Sequence, residues 1–259
     1  MSIDPAAVEL VAFDLDDTLA DSKSPISSAM AAALARLMGL RSVAIISGGR
    51  MQQFEQQVLS LLPQDTPLEH VHLLPTCGAR YLRFKDGEWY QVYVHDMTVG
   101  QRRRAIDVIT RWAKQLGDWE PDDKVKGARI EDRGSQVTYS ALGQLAAAAD
   151  KRAWDPTGAR RHALRDAVAD ELPDLAVAAG GATSIDVTRR GVDKAYGLVQ
   201  LQRRTGILLD QMLFIGDRTE PGGNDHPVVE LGVSTISVTN CDQTLRVVTR
   251  LCEQMEGQP

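Results

Sequence analysis

Four short apolar runs, each ending on acids, glycine or proline, constrain this chain more than any other feature: "VELVAFDL" at 8–15, "SVAIISGG" at 42–49, "VHLLP" at 71–75 and "QMLFIGD" at 211–217. Being short and apolar at successive positions, they read as strands buried on both faces. Helix-like stretches at 25–38 and 51–61 separate them, and strand–helix alternation of this kind builds a parallel sheet covered on two sides. The expected fold class is α/β, with a doubly wound, Rossmann-like parallel-sheet core. "VSTISV" at 233–238 supplies a further strand, and "DQTLRVVTRLCEQM" at 242–255 the closing helix.

The rhythm changes in the middle of the chain. "ARYLRFKDGEWYQVYV" at 79–94 holds two strand-like runs about Lys85-Asp-Gly87, a hairpin signal. A helix at about 98–116, two strand-like runs in "KGARIEDRGSQVTYSAL" around Arg133-Gly134 and a helix at about 156–171 follow. This stretch is expected to be an inserted α+β cap over residues 83–187, between core segments 1–82 and 188–259. A length of 259 residues suits one core with a substantial insertion.

Composition narrows the function classes. No window of the sequence approaches the apolar length that spans a bilayer, and the first residues carry acids where a secretory leader carries Lys or Arg, so no membrane partner and a cytoplasmic location are expected. A net charge of −6 argues against a nucleic-acid partner, and the one basic run, "QRRRA" at 101–105, reads as a solvated helix face. Cys77, Cys241 and Cys252 have no spacing that suggests a disulfide or zinc site. His70, His72, His95 and His162 lack partners at metal spacing, and His226 reads as a helix-start or packing residue and not a ligand.

Ligands of an open α/β sheet collect beyond the carboxyl ends of its strands. There the chain places Asp14, Asp16 and Asp17 in "FDLDDT", Ser47 to Arg50 in "SGGR", Thr76 to Gly78 in "PTCG", and Asp217 to Asp225 in "GDRTEPGGND". Acids this close together repel one another unless a divalent cation neutralises them, and Mg²⁺ takes one or two carboxylates together with waters and a substrate phosphate. Asp14 and Asp217 are the expected carboxylate ligands, with the backbone carbonyl of Asp16 as a further ligand and with Asn224 and Asp225 bracing the loop or the metal's waters. Asp14 is also placed to attack phosphorus, and Asp16 to act as general acid and base. Ser47, the N–H groups of Gly48 and Gly49, and Lys194 can donate to phosphoryl oxygens. Cys77 lies in a strand-end loop and reads as a small buried thiol.

These four segments, in this order, resemble the motifs of the haloacid dehalogenase superfamily of phosphotransferases: "DLDDT", Ser47 in "IISGG", Lys194, and "GDRTEPGGND". The insertion is similar to the α/β cap of its sugar phosphatases and eukaryotic phosphomannomutases. The likeness to phosphomannomutases is closer still in "SIDVTRRGVDKAYGL" and "FIGDRTEPGGNDH". The resemblance implies a Mg²⁺-dependent enzyme that acts on a small phosphorylated sugar through an aspartyl-phosphate, as a monomer or a cap-mediated homodimer. It also implies sugar contacts from Ser184 and Asp186, a substrate contact from Lys23, and a grip on phosphate from the cap at the position of Gln144, for which Arg129 and Arg133 are the compensating residues.

In the cap segment, Lys126 and Gln144 stand where the mutases have arginines. Gln cannot offer a charged, bidentate fork to phosphate, and losing one charged contact costs about 1.5 to 3 kcal/mol. Weak retention of a second phosphate would let water reach the aspartyl-phosphate. The expectation from these residues is therefore a sugar-phosphate phosphatase, with a phosphomannomutase as the alternative.

Overall fold

The computed structural model describes residues 4–257. The chain divides into two compact units, one formed by the segments up to Val94 and from Asp193 onward, the other by His95–Val192.

The first unit begins with β1 (Leu10–Phe13), α1 (Ser28–Met38), β2 (Ser42–Ile46), α2 (Met51–Gln57), β3 (Val71–Leu74), β4 (Arg80–Lys85) and β5 (Glu88–Val94). Ser27 starts α1 by accepting a hydrogen bond from the Met30 N–H at 3.1 Å, a side-chain cap for one of the helix's unpaired donors. The helix-like stretch at 51–61 is split into α2 and a 3₁₀ turn, Leu59–Leu61. The second unit contains α3 (Val99–Gln115), β6 (Ile130–Asp132), β7 (Gln136–Ser140), α4 (Ala148–Trp154), α5 (Ala159–Glu171), β8 (Leu175–Ala179) and β9 (Ser184–Arg189). The first unit then resumes with α6 (Lys194–Thr205), β10 (Met212–Gly216), α7 (His226–Glu230), β11 (Ser234–Ser237) and α8 (Cys241–Glu256).

Seven strands form the first unit's sheet in the order β11-β10-β1-β2-β3-β4-β5. The first five pair in parallel, and β4 and β5 add antiparallel. Side chains alternate across it. Val11, Phe13, Val43, Ile45, Leu213 and Ile215 belong to one core cluster with residues of α1 and α8, whereas Leu10, Ala12, Ala44, Ile46, Met212 and Phe214 join Leu198 and Leu201 of α6 on the other. Both faces are buried, which is why these strands read as continuous apolar runs. β1 lies between β2 and β10, so the chain's winding reverses at its carboxyl end, the place where such sheets form a ligand crevice.

The hairpin at 80–94 belongs to this sheet and not to the insertion. β4 pairs with β3 through His72↔Arg83 and Leu73↔Leu82, and Asp86 and Gly87 both take positive φ, as a two-residue hairpin turn requires. The insertion therefore begins at His95 instead of residue 83 and ends at Val192 instead of 187. Trp89 accordingly sits in the first unit's hairpin, stacked edge-on against Phe84.

The second unit is a four-stranded antiparallel sheet, β6-β7-β9-β8, with Val137, Tyr139, Ile185 and Val187 packed among Ala105, Ile109, Leu164 and Val168 of α3 and α5. Its β8 strand and the α4 helix over "AADKRAW" add to the elements anticipated from sequence. Thr98 and Gln101 start α3 with a reciprocal capping box. Among the described residues, no helix is long and apolar enough to cross a membrane.

One core residue makes stability depend on acid. His72 on β3 is 2% exposed and shares a hydrogen bond with the Tyr81 hydroxyl at 2.8 Å. Burial, aided by Arg83 and His70, lowers its pKa from 6.5 to about 3. Because the folded value lies below the unfolded one, this contribution is present above pH 6.5 and is lost as pH falls, by about 3 kcal/mol at pH 4. His72→Gln, which cannot take up that proton, is expected to flatten the decline of unfolding free energy between pH 7 and pH 4 in denaturant titrations. An unchanged slope would remove His72 from the account.

Candidate active site

β1 and β10 are neighbours, and each delivers an acid as it ends: Asp14 after Phe13 and Asp217 after Gly216. The Asp14 N–H donates to the Ile215 carbonyl at 3.0 Å, so the ladder continues to the point where the acids emerge. Beyond Asp217 the loop turns back. Gly223 makes this possible because a Cβ there would lie 2.0 Å from the Arg218 carbonyl oxygen, and Gly216 leaves room for Asp225, whose Oδ2 would be 2.4 Å from a Cβ at 216. Asp225 ends fully buried, with its Oδ2 accepting from the Arg218 N–H at 3.0 Å.

Asp14, Asp217 and Asp225 form one acidic cluster, with one oxygen of each within 4.8 Å of the others. Lys194, 1% exposed at the start of α6, sets its ammonium between two of them, at 2.6 Å from Asp14 Oδ1 and 2.5 Å from Asp225 Oδ1. Asp193 fixes that helix start by accepting from the Tyr196 N–H at 2.9 Å. Burial alone would lower the Lys194 pKa, but Asp14 and Asp225 outweigh it and hold the ammonium above its ordinary value. Burial, against the pull of Lys194 and with repulsion from Asp225 and Asp217, holds Asp14 well above the usual carboxylate range. Asp217 is raised as well, by burial first and then by Asp225. One lysine thus faces three carboxylates, an excess of negative charge that a hard cation would relieve. Asn224 Oδ1, a buried acceptor in the same loop that receives no hydrogen bond, adds a neutral oxygen suited to a cation or its water.

Asp16 lies outside this cluster. Its carboxylate accepts from the Lys23 N–H at 2.7 Å, from Gln53 Nε2 at 3.0 Å and from Gln57 Nε2 at 3.4 Å, so α2 and the loop ahead of α1 orient it. The ligand expected of Asp16 is its backbone carbonyl, which these contacts of the carboxylate leave untouched. Ser47, 3% exposed, follows β2, and its Oγ accepts from the Gly49 N–H at 3.1 Å. That N–H is engaged, whereas a hydroxyl that accepts keeps its own proton to donate. Lys23 is exposed, with positive φ.

In the second unit, Asp186 accepts from Gln136 Nε2 at 2.8 Å and Thr138 Oγ1 at 2.7 Å, with Ser184 on the same strand. Arg129 covers the Trp119 ring at 4.2 Å and donates to Asp122, and Arg133 forks onto Glu131. Gln144 is buried, and its backbone carbonyl accepts from the buried Lys151 ammonium at 3.1 Å.

Several of these partners are not evident from the sequence. Thr18, whose hydroxyl donates to Asp217 Oδ1 at 3.3 Å, is legible as the last letter of "DLDDT". Gln53, Gln57 and Lys151 carry no local signal. His226 starts α7 as expected, with Nδ1 at 3.0 Å from the Thr219 carbonyl. Cys77 is half-buried instead of buried.

Residues 123–254 match a family model described as eukaryotic phosphomannomutase. The chain is 24% identical over 250 residues to a phosphomannomutase of Saccharomyces cerevisiae, covering 93% of each, and 26% identical over 258 residues to one of Encephalitozoon cuniculi, covering 94% of this chain and 93% of the relative. Its fold is similar to a haloacid dehalogenase-like hydrolase from Bacteroides thetaiotaomicron, with TM-score 0.62, 15% identity and coverage of 94% of this chain and 99% of the other. It is also similar to an IMP-nucleotidase of Plasmodium falciparum, with TM-score 0.73, 14% identity and coverage of 95% and 67%.

Proposed function

We propose, from the premise that the chain belongs to the eukaryotic phosphomannomutase family, that it interconverts mannose 1-phosphate and mannose 6-phosphate through a phosphorylated Asp14. The observation that carries this reading is the buried Asp14 carboxylate at the crevice of the sheet, with Lys194 on one oxygen and Asp217 and Asp225 beside it. Lys194 orients the nucleophile and supplies positive charge toward a phosphoryl group. Asp16, held by Gln53 and Gln57, is the acid that protonates the departing sugar oxygen and the base that later deprotonates the accepting hydroxyl. The Ser47 hydroxyl donates to a phosphoryl oxygen. Mg²⁺ held by Asp14 and Asp217, with Asn224 and Asp225 bracing its surroundings, would offset the repulsion between carboxylate and phosphate.

This reading reverses the preference for hydrolysis drawn from Lys126 and Gln144. Family membership favours the mutase. Hydrolysis remains the second reading because the two substitutions stand. Incubating the protein with mannose 1-phosphate, Mg²⁺ and a trace of hexose bisphosphate separates them. Mannose 6-phosphate is the expected product, inorganic phosphate without isomer would favour the phosphatase, and neither product would sink both.

A further inference from the structure

The turn after β3, "PTCG", carries three successive residues in the left-handed region: Thr76 at φ 51°, Cys77 at 56° and Gly78 at 84°. Only glycine adopts this conformation without cost, and a β-branched threonine is among the least suited to it. Such strain persists only where surrounding contacts hold it, and it concentrates at functional sites. The contacts here are specific. The Thr76 N–H donates to the Gly49 carbonyl at 3.0 Å, and the Cys77 N–H donates to the Ser47 carbonyl at 2.9 Å. Two strained residues thus bind both ends of the loop that presents the Ser47 hydroxyl.

The third residue faces the opposite way. A Cβ at Gly78 would lie 2.8 Å from Gly197 Cα, 3.1 Å from Gly197 N and 3.3 Å from the Asp193 carbonyl. Gly197 is in the first turn of α6, and its N–H donates to that same carbonyl at 3.1 Å. Backbone therefore meets backbone at the turn that carries Lys194, with no side chain between to absorb a shift. The Tyr93 hydroxyl, from β5, fixes Gly78 from behind by donating to its carbonyl at 2.8 Å.

We infer that Thr76–Gly78 is a positioning strut and Gly78 its key positioning residue: it holds the Ser47 loop by hydrogen bonds and the start of α6 by backbone contact, so that Ser47 and Lys194 keep a common register. The inference rests on the reading of Asp14, Ser47 and Lys194 as the phosphoryl-transfer site. The role belongs to the backbone, and the space at Gly78 is indispensable to it.

Gly87 provides the control, since it has φ +88° and nothing within 4 Å of an added Cβ. Gly78→Ala and Gly87→Ala impose the same backbone strain, but only the first drives a methyl group into α6. In the full-length protein, kcat for Mg²⁺-dependent phosphoryl transfer from mannose 1-phosphate, measured well below each variant's melting temperature, is expected to fall about 100-fold in Gly78→Ala, with a much smaller change in KM. It should be unchanged in Gly87→Ala. Should Gly78→Ala not fold, Gly197→Ala reports instead, because its Cβ meets chiefly the flexible end of Leu74, at 3.0 Å, and comes into contact with Gly78 Cα at 3.4 Å. A milder kcat loss is expected there. Crystal structures of the variants give a readout independent of activity: the Lys194–Asp14 contact lengthens in Gly78→Ala or Gly197→Ala and holds in Gly87→Ala. Equal kcat in the position 78 or 197 variant and the control, or an unmoved Lys194, overturns the inference. An inactive unmodified protein refutes the functional reading alone, and the Lys194–Asp14 distance then decides the strut.

Discussion

Asp14→Asn is expected to abolish turnover while leaving the fold intact. Asparagine has the shape of aspartate but cannot form the acyl-phosphate, and removal of a covalent nucleophile costs on the order of 10⁴-fold or more in kcat. Unfolding would not be the cause. Asp14 is buried with its pKa raised by that burial and by the nearby Asp225 and Asp217, so loss of its charge removes repulsion from the cluster, and Lys194 keeps its contact with Asp225. The melting temperature without metal should match or exceed that of the unmodified protein. Acid-quenching after incubation with labelled sugar phosphate gives a direct check: label stays on the unmodified chain and is absent from Asp14→Asn. Substantial turnover by the variant would show that the nucleophile lies elsewhere.

Lys194→Met should cost both activity and stability. The ammonium contacts both Asp14 and Asp225, and all three groups are nearly sealed from water. Removing one partner of a buried ion pair leaves the other charges uncompensated, at a cost of about 3 to 5 kcal/mol, which for a chain of this size lowers the melting temperature by roughly 10 °C. The loss should be smaller at pH 5 than at pH 8. Asp14 already titrates above its unfolded value, so the folded protein binds the extra proton and acidification toward that raised pKa favours the folded state. Differential scanning calorimetry at the two pH values measures this, and a melting temperature unchanged at both would mean that the ion pair contributes nothing net. Activity should fall even where the variant is fully folded, because the charge aimed at the phosphoryl group has gone.

Both predictions concern residues that stand out in the amino-acid sequence alone, and the reason is physical. A parallel strand buried on both faces has no use for acids, so an aspartate that closes an apolar run marks the strand's end and the crevice beyond it. "VAFDLDD" and "LFIGD" carry that mark, and the structure puts Asp14 and Asp217 at the ends of adjacent strands. Lys194 is visible only through its place in a motif order, since a lone lysine at a helix start is ordinary. The hairpin at 80–94 is legible as a hairpin, yet not as part of the core sheet, because its alternating pattern fits an edge of either sheet. The pairing that decides it, β4 on β3, lies outside local periodicity.

The sequence by itself determined which segments become buried strands and which polar residues stand at their carboxyl ends, because period and burial are properties of neighbours along the chain. Tertiary structure decided where those polar groups point. It turned Asp16 away from the acidic cluster and onto two glutamines of α2, joined Asp225 to a lysine thirty-one residues away, and held Thr76 and Cys77 in a strained turn against the Ser47 loop. Each of those outcomes depends on which elements pack together, and packing is settled by the whole core and not by any window of residues.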